Sequence, residues 1–112
     1  MERMGEPLEV TPQEANTALR GGAQIIDVRE PEEFAISRIE GATLIPMQSS
    51  AAELPKLEAM ADERKLLLLC HHGVRSLQVA AWLQNQGIEN CSSIAGGIDQ
   101  WSQEIDPSVP RY

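Results

Sequence analysis

A chain of 112 residues with 42% hydrophobic composition can build one domain around a single core, and is too short for two ordinary ones. Nine basic against 17 acidic residues leave a formal charge of −8, which opposes binding to nucleic acid or an anionic membrane surface. The charged N-terminal stretch lacks the apolar run of a secretory signal, and nothing approaches the roughly 20 apolar residues of a membrane helix, so the expected location is the cytoplasm.

In chain order, residues 8–10 form a first short strand after an N-terminal arm over 1–7. Thr11-Pro12-Gln13-Glu14 then spells a helix start. Thr11 serves as N-cap, Pro12 as the first helical residue and Glu14 as the return partner of a capping box, so a helix is predicted over 12–20 and stopped by Gly21-Gly22. Residues 24–28, Gln-Ile-Ile-Asp-Val, make a second, β-branched strand. A helix opens after it, with Pro31 near its first position and acids in its first turn. A turn at Gly41 leads to a third strand over 43–45, closed by Pro46. Ser49 or Ser50 is expected to cap a helix through 51–60 that Pro55 divides or delays.

The most informative stretch is 66–76, Leu-Leu-Leu-Leu-Cys-His-His-Gly-Val-Arg-Ser. Four consecutive leucines do not alternate, so they predict a strand buried on both faces, as in a parallel sheet. Helical spacing resumes from Arg75 and runs to about Gly87. A fifth strand over 91–94 and a short helix reaching Trp101 complete the pattern. Residues 105–112 contain Pro107 and Pro110 and are expected as an extended tail instead of a packed element. Strands alternating with helices in this way predict an α/β three-layer sandwich: a mostly parallel five-stranded sheet with helices on both faces.

Cys70 then leaves the sheet at a helix N-terminus, where backbone N–H groups without intrahelical partners favour an anion. Such a setting, with Arg75 nearby, favours the thiolate, which is the nucleophilic form. A buried structural thiol is the competing reading of Cys70. The company of Gly73, Arg75 and the helix start favours the reactive one. Gly73 suits a loop that must curl its amides inward, and Arg75 offers a planar fork of donors to an oxyanionic ligand. His71 and His72 either add positive charge or contribute only their amides, and the second reading is preferred. Asp27 and Arg29, at the end of the second strand, read as an ion pair or hydrogen-bonded anchor for the loop. Cys91 reads as core, and Trp82 and Trp101 as packing against the sheet. Two adjacent histidines and one cysteine lack the spacing of a metal cluster, and no cofactor fingerprint is present.

Four pieces in order resemble the rhodanese family of sulfurtransferases, specifically its small single-domain members. They are Ile26-Asp-Val-Arg29 with Glu33-Phe34, Ile39-Glu-Gly-Ala42 with Ile45-Pro46, Cys70-x-x-Gly73-x-Arg75-Ser76, and Ala95-Gly-Gly-Ile98 with Trp101. The resemblance places one rhodanese domain over 8–104. It implies that Cys70 takes the outer sulfur of a donor such as thiosulfate as a persulfide, cradled by the amides of His71, His72, Gly73, Val74, Arg75 and Ser76. A thiol in the cell, or cyanide in an assay, then removes it. No cofactor or metal is implied, and a monomer is expected. An alternative is a sulfur-relay module that hands the persulfide to a partner protein. Related phosphatases and arsenate reductases use five residues between Cys and Arg. The four here make a smaller cradle, which suits sulfur better than phosphate. Ser37-Arg38-Ile39 replaces the Gly-His-Ile of many members, so no role transfers for that histidine.

Overall fold

The structure, a computed structural model, describes residues 6–112. The first five residues of the arm expected over 1–7 lie outside the described part. Five strands and five helices are found among the described residues: β1 Glu9–Val10, α1 Pro12–Arg20, β2 Gln24–Asp27, α2 Pro31–Ile36, β3 Thr43–Leu44, α3 Leu54–Glu63, β4 Leu66–Leu69, α4 Val74–Asn85, β5 Cys91–Ile94 and α5 Gly97–Glu104. All strand pairings are parallel, in the order β1-β5-β4-β2-β3. The predicted α/β sandwich is the fold of the chain.

The leucine run becomes the central strand, and all four leucines are fully buried. Leu66 and Leu68 face a cluster with Leu57 and Ala61 of α3 and Val79, Ala80 and Leu83 of α4. Leu67 and Leu69 face the opposite cluster, with Ala15 of α1 and Ile98 and Trp101 of α5. A strand covered on both sides needs no polar face, and each buried leucine contributes about 2 kcal/mol. The loop that follows is therefore rooted in the most stable part of the sheet.

The start of α1 follows the predicted chemistry. The Glu14 backbone N–H donates to Thr11 Oγ1 at 3.1 Å and the Thr11 N–H donates to Glu14 Oε1 at 2.8 Å, which satisfies two orphan donors. The region before α3 differs from expectation. Ser49 ends a 3-10 turn over Met47–Ser49, Ser50 follows it, and Glu53 occupies the N-cap position without a side-chain hydrogen bond. Pro55 delays the helix to Leu54, since its ring is compatible only with the first turn.

The expectation that 105–112 would not pack is corrected by the structure. The segment is irregular, yet Val109 is buried in the cluster beneath Trp101. Ser102 Oγ donates to the Val109 carbonyl at 2.6 Å, and Ser37 Oγ donates to the Pro110 carbonyl at 2.5 Å. Two prolines prevent regular structure but not burial, because these side-chain donors satisfy the carbonyls that a helix or sheet would have used. The segment is thereby returned over α2 to the end of the sheet where Cys70 emerges.

Candidate active site

Two neighbouring parallel strands deliver the site residues. Asp27 pairs with Leu69 in register, so the segments after β2 and β4 emerge side by side at the carboxyl end of the sheet. The Val28 N–H donates to the Leu69 carbonyl at 2.9 Å and fixes this exit.

The cysteine loop is held from outside and open towards its centre. At the N-terminus of α5, the Ile98 N–H donates to the Cys70 carbonyl at 2.8 Å and the Asp99 N–H donates to the His71 carbonyl at 3.1 Å. With the carbonyls so occupied, amides are directed at the sulfur: Gly73 N–H donates to Cys70 Sγ at 3.1 Å and Ser76 N–H at 3.3 Å. Gly73 sits at φ +99°, left-handed backbone that a side chain would strain. Gly97 allows the close approach of α5, since a Cβ there would fall 2.5 Å from the Cys70 carbonyl oxygen. Ser76 Oγ lies 3.3 Å from Cys70 Sγ and 2.7 Å from Ser93 Oγ, so a buried pair of hydroxyls backs the sulfur from β5. Donors of this kind stabilise negative charge on sulfur, and they do so in a site from which bulk water is excluded. Cys70 itself is 1% exposed.

Asp27 and Arg29 form a fully buried pair. Arg29 Nε donates to Asp27 Oδ1 at 2.9 Å and Nη2 to Asp27 Oδ2 at 2.7 Å, in a fork-to-carboxylate geometry. The remaining donors reach the Ser37 carbonyl at 2.6 Å, the Glu33 carbonyl at 3.3 Å and the Tyr112 hydroxyl at 2.9 Å. Burial opposes the charge on Arg29, but Asp27 and Tyr112 outweigh it and raise its pKa.

Arg75 departs from the expectation of a fork free for an oxyanion. Its Nη1 and Nη2 donate to the two carboxylate oxygens of Glu33 at 2.7 and 3.0 Å. Hydrogen bonding from Arg75 is the main reason that Glu33 titrates at about 2, with further help from the Glu30 N–H and the Tyr112 hydroxyl against the opposing effect of burial. The same pairing raises the pKa of Arg75, to which the nearby Cys70 adds an electrostatic contribution. Because the folded pKa of Glu33 lies below its ordinary value of 4.5, the pair stabilises the fold above that pH. That stability drains away as pH falls from 4.5 towards 2. Glu33→Gln is therefore expected to cost about 1–2 kcal/mol at pH 7, a difference from the wild type that shrinks progressively below pH 4.5. Urea titrations of both proteins from pH 7 to pH 3 would measure it, and a difference independent of pH would contradict the assignment.

His71 also has a partner that its sequence position does not suggest. The Tyr112 ring stacks on it at 3.9 Å between centroids with a 7° tilt, and His71 Nε2 lies 2.9 Å from the Tyr112 main-chain oxygen. His72 also stacks on His71, at 4.0 Å between centroids with a 29° tilt. Val74 is well exposed beyond them. Glu33, Ser93 and Tyr112 are the site components that sequence reading did not assign; only Glu33, as part of the Glu33-Phe34 pair, carried any signal. Among the described residues no group of three or more His, Cys, Asp or Glu side chains is placed to hold a metal ion, and no helix is long and apolar enough to cross a membrane. An apolar cavity of about 220 Å³ between Met47 and Trp82 includes none of the residues 70–76.

A parallel α/β sandwich carrying a cysteine in an amide-lined loop, at the carboxyl ends of its central strands, defines the class of the protein. Within that class the chain belongs to the rhodanese-like domain family, whose sequence pattern it matches over residues 11–104. It is 38% identical over 105 residues to the thiosulfate sulfurtransferase GlpE of Haemophilus influenzae, covering 93% of this chain and 96% of that protein. It is 41% identical over 91 residues to the rhodanese-like/PpiC domain-containing protein 12, chloroplastic, of Arabidopsis thaliana, covering 80% of this chain but only 30% of that one. Among solved structures it resembles a rhodanese-related protein of Thermoplasma volcanium, with a TM-score of 0.80, 25% identity and coverage of 95% of this chain and 100% of that one. It also resembles the human single-domain sulfurtransferase TSTD1, with a TM-score of 0.72, 26% identity and coverage of 88% and 98%.

Proposed function

We propose that this protein is a sulfurtransferase that carries sulfane sulfur as a persulfide on Cys70. The observation that carries the reading is the convergence of two backbone amides and one hydroxyl on a cysteine sulfur at the start of α4. The similarity to GlpE over nearly the full length of both chains supports thiosulfate as a usable donor.

The Cys70 thiolate attacks the outer sulfur of thiosulfate. A new S–S bond forms, the S–S bond within thiosulfate breaks, and sulfite leaves with its electron pair. Cys70–S–S⁻ remains, its terminal sulfur in the place where the loop amides of residues 71–76 can donate to it. Cyanide in an assay, or a thiolate in the cell, then attacks that terminal sulfur and leaves as thiocyanate or a persulfide, and the Cys70 thiolate is regenerated. Asp27 and Arg29 do not touch the sulfur. They hold the neighbouring segment in place, with Arg29 tying β2, α2 and Tyr112 together.

Two half-reactions through one covalent carrier demand ping-pong kinetics. Initial rates with thiosulfate and cyanide varied together should give parallel double-reciprocal lines, whereas intersecting lines would count against the persulfide carrier. A protein acceptor is a compatible extension, because this chain is 35% identical over 107 residues to a segment that makes up 26% of the longer probable adenylyltransferase/sulfurtransferase MoeZ of Mycobacterium tuberculosis.

A further inference from the structure

Three arginines surround the cysteine loop, and each is bound to a carboxylate: Arg29 to Asp27, Arg75 to Glu33 and Arg111 to Asp99. Arg75 matters most, because it belongs to the loop and interacts electrostatically with Cys70. Its partner is locked from three directions. Glu33 receives both Arg75 nitrogens, the Glu30 N–H at 3.0 Å and the Tyr112 hydroxyl at 2.8 Å. Tyr112 is in turn held by Arg29 and by stacking on His71. What Arg75 presents to a ligand on Cys70 is therefore a neutral ion pair instead of a free positive charge. The whole chain carries a formal charge of −8, so its long-range field offers an anion no compensation.

We infer that Glu33 is a specificity-determining residue: by withholding the charge of Arg75 it turns the cradle away from dianions such as thiosulfate and towards sulfane donors that carry at most one negative charge, the organic persulfides. This rests on the reading of Cys70 as the sulfur acceptor. With such a donor, R–S–SH, the Cys70 thiolate attacks the outer sulfur, the R–S–S linkage breaks and RS⁻ leaves with the electron pair. The proton of the donor passes to RS⁻, giving Cys70–S–S⁻ and RSH. Charge balance at the cradle is then unchanged, whereas a bound dianion adds two negative charges beside the thiolate, next to three arginines that are each already paired with a carboxylate.

The test is the rate of sulfur loading on Cys70 in a single turnover, read by intact mass. Donors are thiosulfate and 2-mercaptoethanol persulfide, and proteins are the wild type, Glu33→Gln, Arg75→Gln and the double variant. Glu33→Gln should load from thiosulfate about fivefold faster at low ionic strength, with a gain that fades in high salt and a change below about twofold for the persulfide. Arg75→Gln leaves a lone carboxylate and should slow thiosulfate loading by a similar factor. The double variant should lie between the two, recovering most of what Arg75→Gln lost. A double variant as poor as Arg75→Gln, or a Glu33→Gln protein no faster with thiosulfate, would show that Arg75 grips the donor itself and would overturn the inference. If a single variant does not fold, the double variant against the wild type decides, a loss of more than about fivefold counting as contrary. No sulfur on wild-type Cys70 from either donor would remove the sulfurtransferase reading instead.

Discussion

Cys70→Ser is expected to lower sulfur transfer by at least about 10³-fold while leaving stability within about 1 kcal/mol of the wild type. The two halves of this expectation have separate causes. A serine hydroxyl is not ionised at neutral pH and cannot carry a sulfane sulfur, so the covalent path is closed, not merely slowed. The fold tolerates the change because the new oxygen can accept from the Gly73 and Ser76 amides that now reach the sulfur at 3.1 and 3.3 Å. Steady-state thiocyanate formation and urea unfolding of the same preparation would check both halves. Retained activity would contradict the mechanism, and a large loss of stability would mean that Cys70 is chiefly a core residue. Cys91→Ser serves as the comparison, since Cys91 lies in the opposite position at the start of β5 with its thiol near the Ile88 and Ala80 carbonyls.

The largest effect on stability should come from Asp27→Ala. Asp27 and Arg29 are both at 0% exposure, and the guanidinium makes two of its hydrogen bonds to that single carboxylate. Removing Asp27 strands a positive charge in the interior, where it cannot be neutralised by losing a proton, at a cost of about 3–5 kcal/mol. Small domains are stable by about 5–15 kcal/mol, so a loss of this size is a large share of the margin. Denaturant unfolding would measure it. Asp27→Ala combined with Arg29→Leu should recover part of the loss, because the pair's own net contribution is small once both charges are gone. A cost under about 1 kcal/mol for Asp27→Ala would mean that Arg29 finds another anion.

The contrast between what the sequence revealed and what it hid follows the range of the interactions. The leucine strand, the loop and the Thr11 capping box are local patterns, written in residues a few positions apart, and hydrophobic spacing with turn chemistry was sufficient to place them. Asp27 and Arg29 are two residues apart, so a mutual pairing was a natural reading. Glu33 and Arg75 are separated by 42 positions and Glu33 and Tyr112 by 79, and no periodicity encodes such contacts. Arg75 consequently read as a free fork, although a carboxylate already fills it. The packing of the segment after α5 is hidden from the sequence for a related reason. Pro107 and Pro110 disfavour helix and strand, but the apolar Val109 between them is the local signal of burial. Of the hydroxyls that donate to its carbonyls, Ser102 is seven positions away, but Ser37 is 73 positions away.

The measurement closest to the central claim is intact-protein mass spectrometry of the reduced wild type after incubation with thiosulfate, beside Cys70→Ser and Cys91→Ser. A gain of one sulfur, about 32 daltons, in the wild type and in Cys91→Ser, reversed by cyanide and absent from Cys70→Ser, is the predicted result. A gain that persists in Cys70→Ser, or disappears in Cys91→Ser, would place the carrier on the wrong cysteine and contradict the account.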